Sequence, residues 1–130
     1  MTILVAYIPR PEGQAALDKG IEFARQRQEA LIVVNATPGG TGEDLSRADV
    51  QDVERVEKIL AESGLKAEFK QFVRGRNAID EINELVDSRQ VSMLVIGLRR
   101  RSAVGKLLLG SMAQEILLTI SCPILAVKAD

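Results

Sequence analysis

The residues best suited to chemistry lie close together, between positions 97 and 112. Arginine guanidinium groups bind phosphate through paired hydrogen bonds, and the free N–H groups at the start of a helix attract anions. Both features occur in this segment, because a run of arginines precedes a glycine-serine pair and an apolar pattern that predicts a helix. The residues concerned are Gly97, Arg99, Arg100, Arg101, Gly110, Ser111 and Met112. This arrangement predicts a phosphate site and favours a nucleotide as its ligand.

Other chemistries lack the residues that they need. The chain has no histidine, which excludes Ser-His-Asp hydrolysis, histidine acid–base catalysis and histidine-ligated metal sites. Gly105 and Lys106 are followed by Leu107 where a P-loop has Ser or Thr, so that motif is absent. Acidic residues of the second predicted helix are expected to form its solvent face, and they are Asp44, Asp49, Asp52, Glu54 and Glu57. The sequence therefore predicts no catalytic residues and no metal site.

Composition and charge narrow the class of protein. A chain of 130 residues is expected to form one domain over residues 1–130. The net charge of −1 argues against binding to nucleic acid or to a membrane surface. The single cysteine, Cys122, forms no intrachain disulfide and is expected to be a small buried residue before the last strand. The apolar start at Ile3 predicts a strand rather than a signal peptide. Together these features predict a cytoplasmic protein.

The site residues must be positioned by alternating strands and helices. Short apolar runs bounded by turn residues predict five strands, over residues 2–8, 30–37, 67–73, 93–96 and 123–127. Helical apolar spacing predicts four helices between them, over residues 12–28, from near Glu43 to Leu60, after an N-cap at Asn77, and over 111–119. Gly97 is expected to end the fourth strand and to open a turn. The arginines would then lie in a loop.

This order predicts an α/β fold with a doubly wound, five-stranded parallel sheet in the order 3-2-1-4-5. Each strand–helix–strand crossover is right-handed, so helices must cover both faces of the sheet. The order reverses between the first and fourth strands. Ligands in such sheets bind beyond the carboxyl ends of the strands at this point. The loops expected there are residues 9–13 and 97–111, so topology and the arginine segment predict the same site.

Three further motifs occur at set positions in this order of elements. Val73-Arg74-Gly75 precedes the third helix, Gly97 precedes Gly110-Ser111, and Cys122-Pro123 precedes the apolar residues of the last strand. In these motifs and in its element order, over essentially its whole length, the chain resembles the universal stress proteins of the UspA type. The nucleotide-binding branch of that family has Gly, two residues, Gly, nine residues, then Gly-Ser or Gly-Thr. Arg100 stands here where the second glycine belongs.

The resemblance implies the adenine nucleotide alpha hydrolase-like fold and a small cytoplasmic homodimer that pairs through its last strand. It also implies binding of ATP or another adenine nucleotide, with Mg²⁺ only if the nucleotide brings it. Gly97, Gly110 and Ser111 would then surround the phosphates and ribose. Met112 would offer a backbone N–H, and Ala36 would lie where backbone atoms contact adenine.

Alternatives remain open at this stage. Arg100 and Ile8 depart from the pattern of ATP-binding members, which have a glycine and an acidic residue at these places. They favour a second hypothesis, a protein of the same fold that binds no nucleotide and acts through its dimer surface and protein partners. The arginines would then be a solvated basic loop, and Ser111 a simple N-cap. A slow ATPase is a third hypothesis, although no residue here is suited to activate a water molecule.

Overall fold

The computed structural model describes residues 1–35, 48–71, 78–100, 107–108 and 111–129. Strands and helices alternate along the chain, as the sequence pattern predicted, apart from one additional short strand. The strands are β1 (Thr2–Tyr7), β2 (Ala30–Asn35), β3 (Ala67–Gln71), β4 (Val91–Arg100), β5 (Leu107–Leu108) and β6 (Ile124–Ala129). The helices are α1 (Pro11–Arg27), α2 (Val50–Glu62), α3 (Ala78–Ser88) and α4 (Ser111–Thr119).

The sheet confirms the predicted doubly wound order. Strands β3, β2, β1 and β4 are neighbours in that sequence, and β6, the predicted fifth strand, pairs with β4. All of these pairs are parallel. The two-residue strand β5 is an addition that the sequence reading did not include, and it pairs antiparallel with the end of β4. It is too short to show a hydrophobic period of its own, so it could not be recognised from its pattern.

Two hydrophobic cores lie on opposite faces of the sheet. On one face, α1 and α2 cover the side chains of Ile3, Val5 and Val95. On the other face, α3 and α4 cover Leu4 and Leu94 together with further β4 residues. Successive residues of a strand point to opposite faces. Strand β1 and the 93–96 part of β4 are therefore continuous or nearly continuous apolar runs, as strands buried on both faces should be.

Helix α2 begins later than the sequence pattern predicted. Its N-cap is Asp49, whose carboxylate accepts a hydrogen bond from the Asp52 backbone N–H at 2.8 Å. The Asp52 carboxylate accepts in return from the Asp49 N–H at 3.0 Å. This reciprocal capping box satisfies two N–H groups that a helix leaves unpaired at its start. The predicted start near Glu43 is wrong in that Ala48 and Asp49 precede the helix; Glu43 and Asp44 lie outside the described residues.

Among the residues that the structure describes, no helix combines the length and apolarity required to span a lipid bilayer.

Candidate functional site

The carboxyl edge of the sheet has a gap, the crevice, where β1 and β4 stop pairing with each other. Strand β1 stays paired with β2 as far as Tyr7 and Asn35. Strand β4 stays paired with β6 as far as Arg99 and Ala129. The pairing of β1 with β4, however, ends at Val5 and Val95. The two central strands therefore part at the point where the strand order reverses, which is where doubly wound sheets bind their ligands.

Gly97 lies beside this crevice, but it does not open a turn. Strand β4 continues through Gly97, which pairs with Val127, and ends only at Arg100. The prediction that the strand ends at Gly97 is therefore wrong. The residue is glycine because helix α1 comes so close that a Cβ here would lie 1.9 Å from the backbone oxygen of Glu12. Gly97 thus permits the first turn of α1 to pack directly on β4.

Arg99 and Arg100 lie in a strand and not in the predicted loop. Arg99 pairs with Leu108 and Arg100 with Leu107, so that the end of β4 and β5 form an antiparallel hairpin. The hydrogen bonds of β6 on the other side of Arg99 extend β4 further than its apolar run indicated. Extended backbone also removes the need for left-handed geometry that a glycine at position 100 would serve: the non-glycine residues with positive φ in the described chain are Gln28 and Gln90.

Arg99 lies on the same face of the sheet as Gly97. Val95 faces α1 and α2, and side chains two residues apart in a strand share a face. Gly97 and Arg99 therefore follow Val95 on the α1 side, and the Arg99 side chain is exposed. The exposed Arg99 side chain therefore lies on the α1 side of the sheet, four residues along β4 from the last pair with β1.

Helix α4 begins at Ser111, as the sequence predicted, and Met112 lies in its first turn. The N-terminal turn of α4 follows the hairpin by only two residues. Three other predicted site residues, Ala36, Arg101 and Gly110, lie outside the described residues.

Glu12 lies beside the crevice, and sequence reasoning did not single it out. It lies in the first turn of α1, where an acidic residue ordinarily reaches into solvent and interacts with the helix dipole. Here Glu12 is only 8% exposed, because its backbone and Cβ pack against Gly97. Within the described part of the chain its carboxylate has no hydrogen-bond or ion-pair partner. No sequence signal marks this position, since its burial depends on the distance between α1 and β4.

A polar network joins the carboxyl ends of β1, β2 and β3, and it was also missed. The side chain of Asn35 donates to the backbone oxygen of Tyr7 at 3.0 Å and accepts from the Ala48 N–H at 2.9 Å. Gln71 donates to Asn35 Oδ1 at 3.2 Å and to the Ala48 oxygen at 2.9 Å. The network therefore holds Asn35, Ala48 and Gln71 together at the edge of the sheet. Its signal in the sequence is a single amide that ends an otherwise apolar strand.

Tyr7 extends this network towards the helices. Its ring is fully buried, packs edge-to-face on Phe69 with centroids 6.3 Å apart, and carries a hydroxyl that accepts a hydrogen bond from Arg55 at 2.6 Å. Arg55 also donates to Gln14 of α1 at 2.8 Å. Burial raises the pKa of Tyr7 above its ordinary value, against the opposing effect of the Arg55 charge. The hydroxyl is therefore neutral at physiological pH and links α1, α2 and β1 structurally.

Groups suited to hold a metal ion are absent from the residues that the structure describes, which contain no cluster of three Cys, Asp or Glu side chains. Cys122 is half-buried and packs against the core on the α3 and α4 side. Burial raises the pKa of its thiol, so the unreactive protonated form is favoured.

The doubly wound sheet, the crevice and the hairpin define an α/β protein of the adenine nucleotide alpha hydrolase-like class. Comparison with known proteins narrows this class. The model of the universal stress protein family matches residues 1–128. A universal stress protein of Mycolicibacterium smegmatis is 45% identical over 97% of this chain and 96% of its own. The chain therefore belongs to the universal stress protein family.

Solved structures agree with this assignment. A universal stress protein from Archaeoglobus fulgidus is similar with a TM-score of 0.72 and 27% identity, over 98% of this chain and 97% of that one. A structure of the universal stress protein from Archaeoglobus fulgidus in complex with dAMP has a TM-score of 0.66 and 22% identity, over 98% and 96% of the two chains. At that identity, the second likeness concerns the fold.

Proposed function

We propose that this universal stress protein is a small regulatory module that binds an adenine nucleotide in the crevice between β1 and β4. The observation that carries the proposal is the parting of these strands after Val5 and Val95, next to exposed Arg99 and the start of α4. A basic side chain and a helix N-terminus on the open side of a switch-point crevice suit an anionic ligand. The dAMP complex of the Archaeoglobus relative supports an adenine nucleotide as the anion.

In this proposal the ligand is contacted by the residues that the sequence predicted for the site. Arg99 and Arg100 would bind phosphate from the end of β4, joined by Arg101. Gly110, Ser111 and Met112 would offer backbone N–H groups to the phosphates, and Gly97 would line the crevice. Ala36 would contact the base. In this proposal ATP or another adenine nucleotide is the ligand, and Mg²⁺ enters only with the nucleotide.

Calorimetric titration of the purified protein with ATP, ADP, AMP and cyclic AMP, at low and moderate salt, tests the proposal. We expect saturable binding of at least one nucleotide. Arg99→Glu should weaken it at least about ten-fold, because a charged hydrogen bond to phosphate is lost and repulsion is added. Lys66→Glu is the matched control, since Lys66 is exposed just before β3 at the opposite edge of the sheet.

Two results would contradict this function. The first is the absence of binding by all four nucleotides, and the second is equal affinity of the Arg99 and Lys66 variants. The first result would favour the alternative, in which the protein binds no nucleotide and acts through its dimer surface. The proposal describes a binding protein of the cytoplasm rather than an enzyme. Phosphate release that is linear in time and abolished by Arg99→Glu would contradict that part.

We also propose a homodimer that forms through β6. In the described part of the chain, β6 pairs with β4 along one edge and with no strand along the other. An unpaired edge presents N–H and C=O groups that a second copy can pair with. Light scattering at micromolar concentration should give about twice the chain mass of 14.2 kDa. The monomer mass would contradict the dimer without affecting the nucleotide site.

A further inference from the structure

Glu12 differs from Glu29, the other buried glutamate of the described chain, because its side chain has no hydrogen-bond or ion-pair partner among the described residues. A buried charge is costly unless it is paired or hydrogen-bonded. The dipole of α1 offsets part of this cost, since Glu12 lies in the first turn of that helix. The remaining hydrogen-bonding capacity of the carboxylate is unused by the described residues.

The backbone and Cβ of Glu12 lie beside the crevice. Its Cβ would lie 3.0 Å from a Cβ at Gly97, two residues beyond the last pair between β1 and β4. Glu12 as a whole is 8% exposed. The side chain of Glu12 therefore starts at the wall of the crevice, where the proposed ligand would lie.

The charge of Glu12 determines which part of a ligand it suits. A carboxylate accepts hydrogen bonds and repels phosphate, so it requires neutral donors such as hydroxyl groups. Arg99 lies on the same face of β4 as Gly97, two residues further along the strand. This spacing corresponds to about 7 Å between the two Cα atoms at the rise of a strand. The crevice thus offers an acceptor and a cation in sequence, which matches the order of sugar hydroxyls and phosphate in a nucleotide.

We propose that the Glu12 carboxylate accepts hydrogen bonds from the ribose hydroxyls of the bound nucleotide and so orients its phosphates towards Arg99. This assignment rests on the proposed nucleotide site. The two carboxylate oxygens suit the two neighbouring hydroxyls, as acidic residues do in other nucleotide-binding α/β folds. Glu12 selects ribonucleotides over nucleotides that lack these hydroxyls.

Matched nucleotide pairs test the assignment, with ATP against 2′,3′-dideoxyATP and AMP against 2′,3′-dideoxyAMP. The wild-type protein should bind the ribonucleotide about ten-fold more tightly, as expected for hydrogen bonds to a charged group. In Glu12→Gln this preference should fall to about two-fold or less. Glu22→Gln is the control, because Glu22 is exposed on the same helix and forms an ion pair with Lys19 at 2.8 Å; it should retain the full preference.

The outcomes separate the two proposals. Wild-type binding with the same preference in Glu12→Gln, or with no preference at all, overturns the role of Glu12 and leaves the nucleotide site intact. Failure of the wild type to bind any nucleotide overturns both. A preference for ATP over ITP that Glu12→Gln removes would assign the carboxylate to the base amine and overturn the ribose assignment.

Thermal unfolding of the unliganded variants distinguishes a ligand contact from a structural one. The melting temperature of the Glu12→Gln variant should lie within about 3 °C of that of the wild type. The reason is that the Glu12 carboxylate has no hydrogen-bond or ion-pair partner among the described residues. A larger decrease would show that the carboxylate supports the fold, and would overturn the proposal.

Discussion

Two buried glutamates lie at opposite ends of the sheet, and their surroundings differ. Glu12, at the carboxyl end, is 8% exposed, and Glu29, at the amino end, is 9% exposed. Glu29 accepts a hydrogen bond from the Ser92 hydroxyl at 2.5 Å, and its other oxygen lies 2.7 Å from Arg27 Nε. The Arg27 contact is an ion pair that lacks the alignment of a hydrogen bond, so this buried Glu29 oxygen accepts no hydrogen bond.

The difference separates an end of the sheet whose polar groups pair with one another from the end where we propose the ligand site. At the amino end, Glu29 and Ser92 connect the starts of β2 and β4, and the carboxylate is used by the protein itself. At the carboxyl end, the strands part and the Glu12 carboxylate is left without a described partner. Two carboxylates that are equally buried can therefore differ in whether the protein itself uses their hydrogen-bonding capacity, and their partners show the difference.

The largest expected effect is the loss of stability caused by Gly97→Ala, which disturbs the contact between Gly97 and Glu12. Gly97→Ala places a Cβ 1.9 Å from the Glu12 backbone oxygen, so α1 must move away from β4. We expect the free energy of unfolding to fall by about 3 kcal/mol, at the upper end for overpacking. Denaturant unfolding measures this value. Gly64→Ala is the control: its φ of +77° is strained for alanine but its surroundings are open, so the loss should be about 1 kcal/mol. Equal losses would contradict the close contact.

The next effect compares the two glutamates directly. Glu29→Gln replaces the oxygen beside Arg27 with an amide and weakens the bond from Ser92. We expect it to lower the free energy of unfolding by about 2 kcal/mol, the scale of a hydrogen bond to a charged group. The same substitution at Glu12 should change it by less than about 1 kcal/mol. If Glu12→Gln is the more destabilising change in urea unfolding without ligand, the comparison is wrong.

The smallest effect concerns Tyr7, a buried polar group at the carboxyl end that does have a partner. Tyr7→Phe removes the hydrogen bond from Arg55 and should cost about 1 kcal/mol at neutral pH. Because burial raises the pKa of Tyr7 above its ordinary value of 10.0, the unfolded chain loses this proton first as the pH rises. The stabilisation by Tyr7 is thus fully present below pH 10 and is lost as the pH rises through the folded-state pKa.

Urea unfolding of wild type and Tyr7→Phe at several pH values between 8 and 11 measures this dependence. The difference between the two proteins should shrink above pH 10. A difference that stays constant or grows over this range would contradict the direction of the pKa shift.

The sequence by itself determined the order of the elements and the family. Apolar runs of strand length and helical apolar spacing are local patterns, so the parallel sheet, its order and the start of α4 at Ser111 were all predictable. The motifs around Gly97, Gly110-Ser111 and Cys122-Pro123 were sufficient to recognise a universal stress protein. Local pattern also located the switch point, because the strand order follows from the alternation of elements.

Only the tertiary structure decided the roles of Gly97, Arg99 and Glu12. Gly97 looked like a turn residue, and its reason is instead the approach of α1, which comes from a part of the chain more than 80 residues away. Arg99 followed an apolar run and looked like a loop residue, but pairing with Leu108 and Ala129 continues the strand. Glu12 is buried by that same packing. Such roles depend on distances between elements, and a hydrophobic pattern along one element carries no information about them.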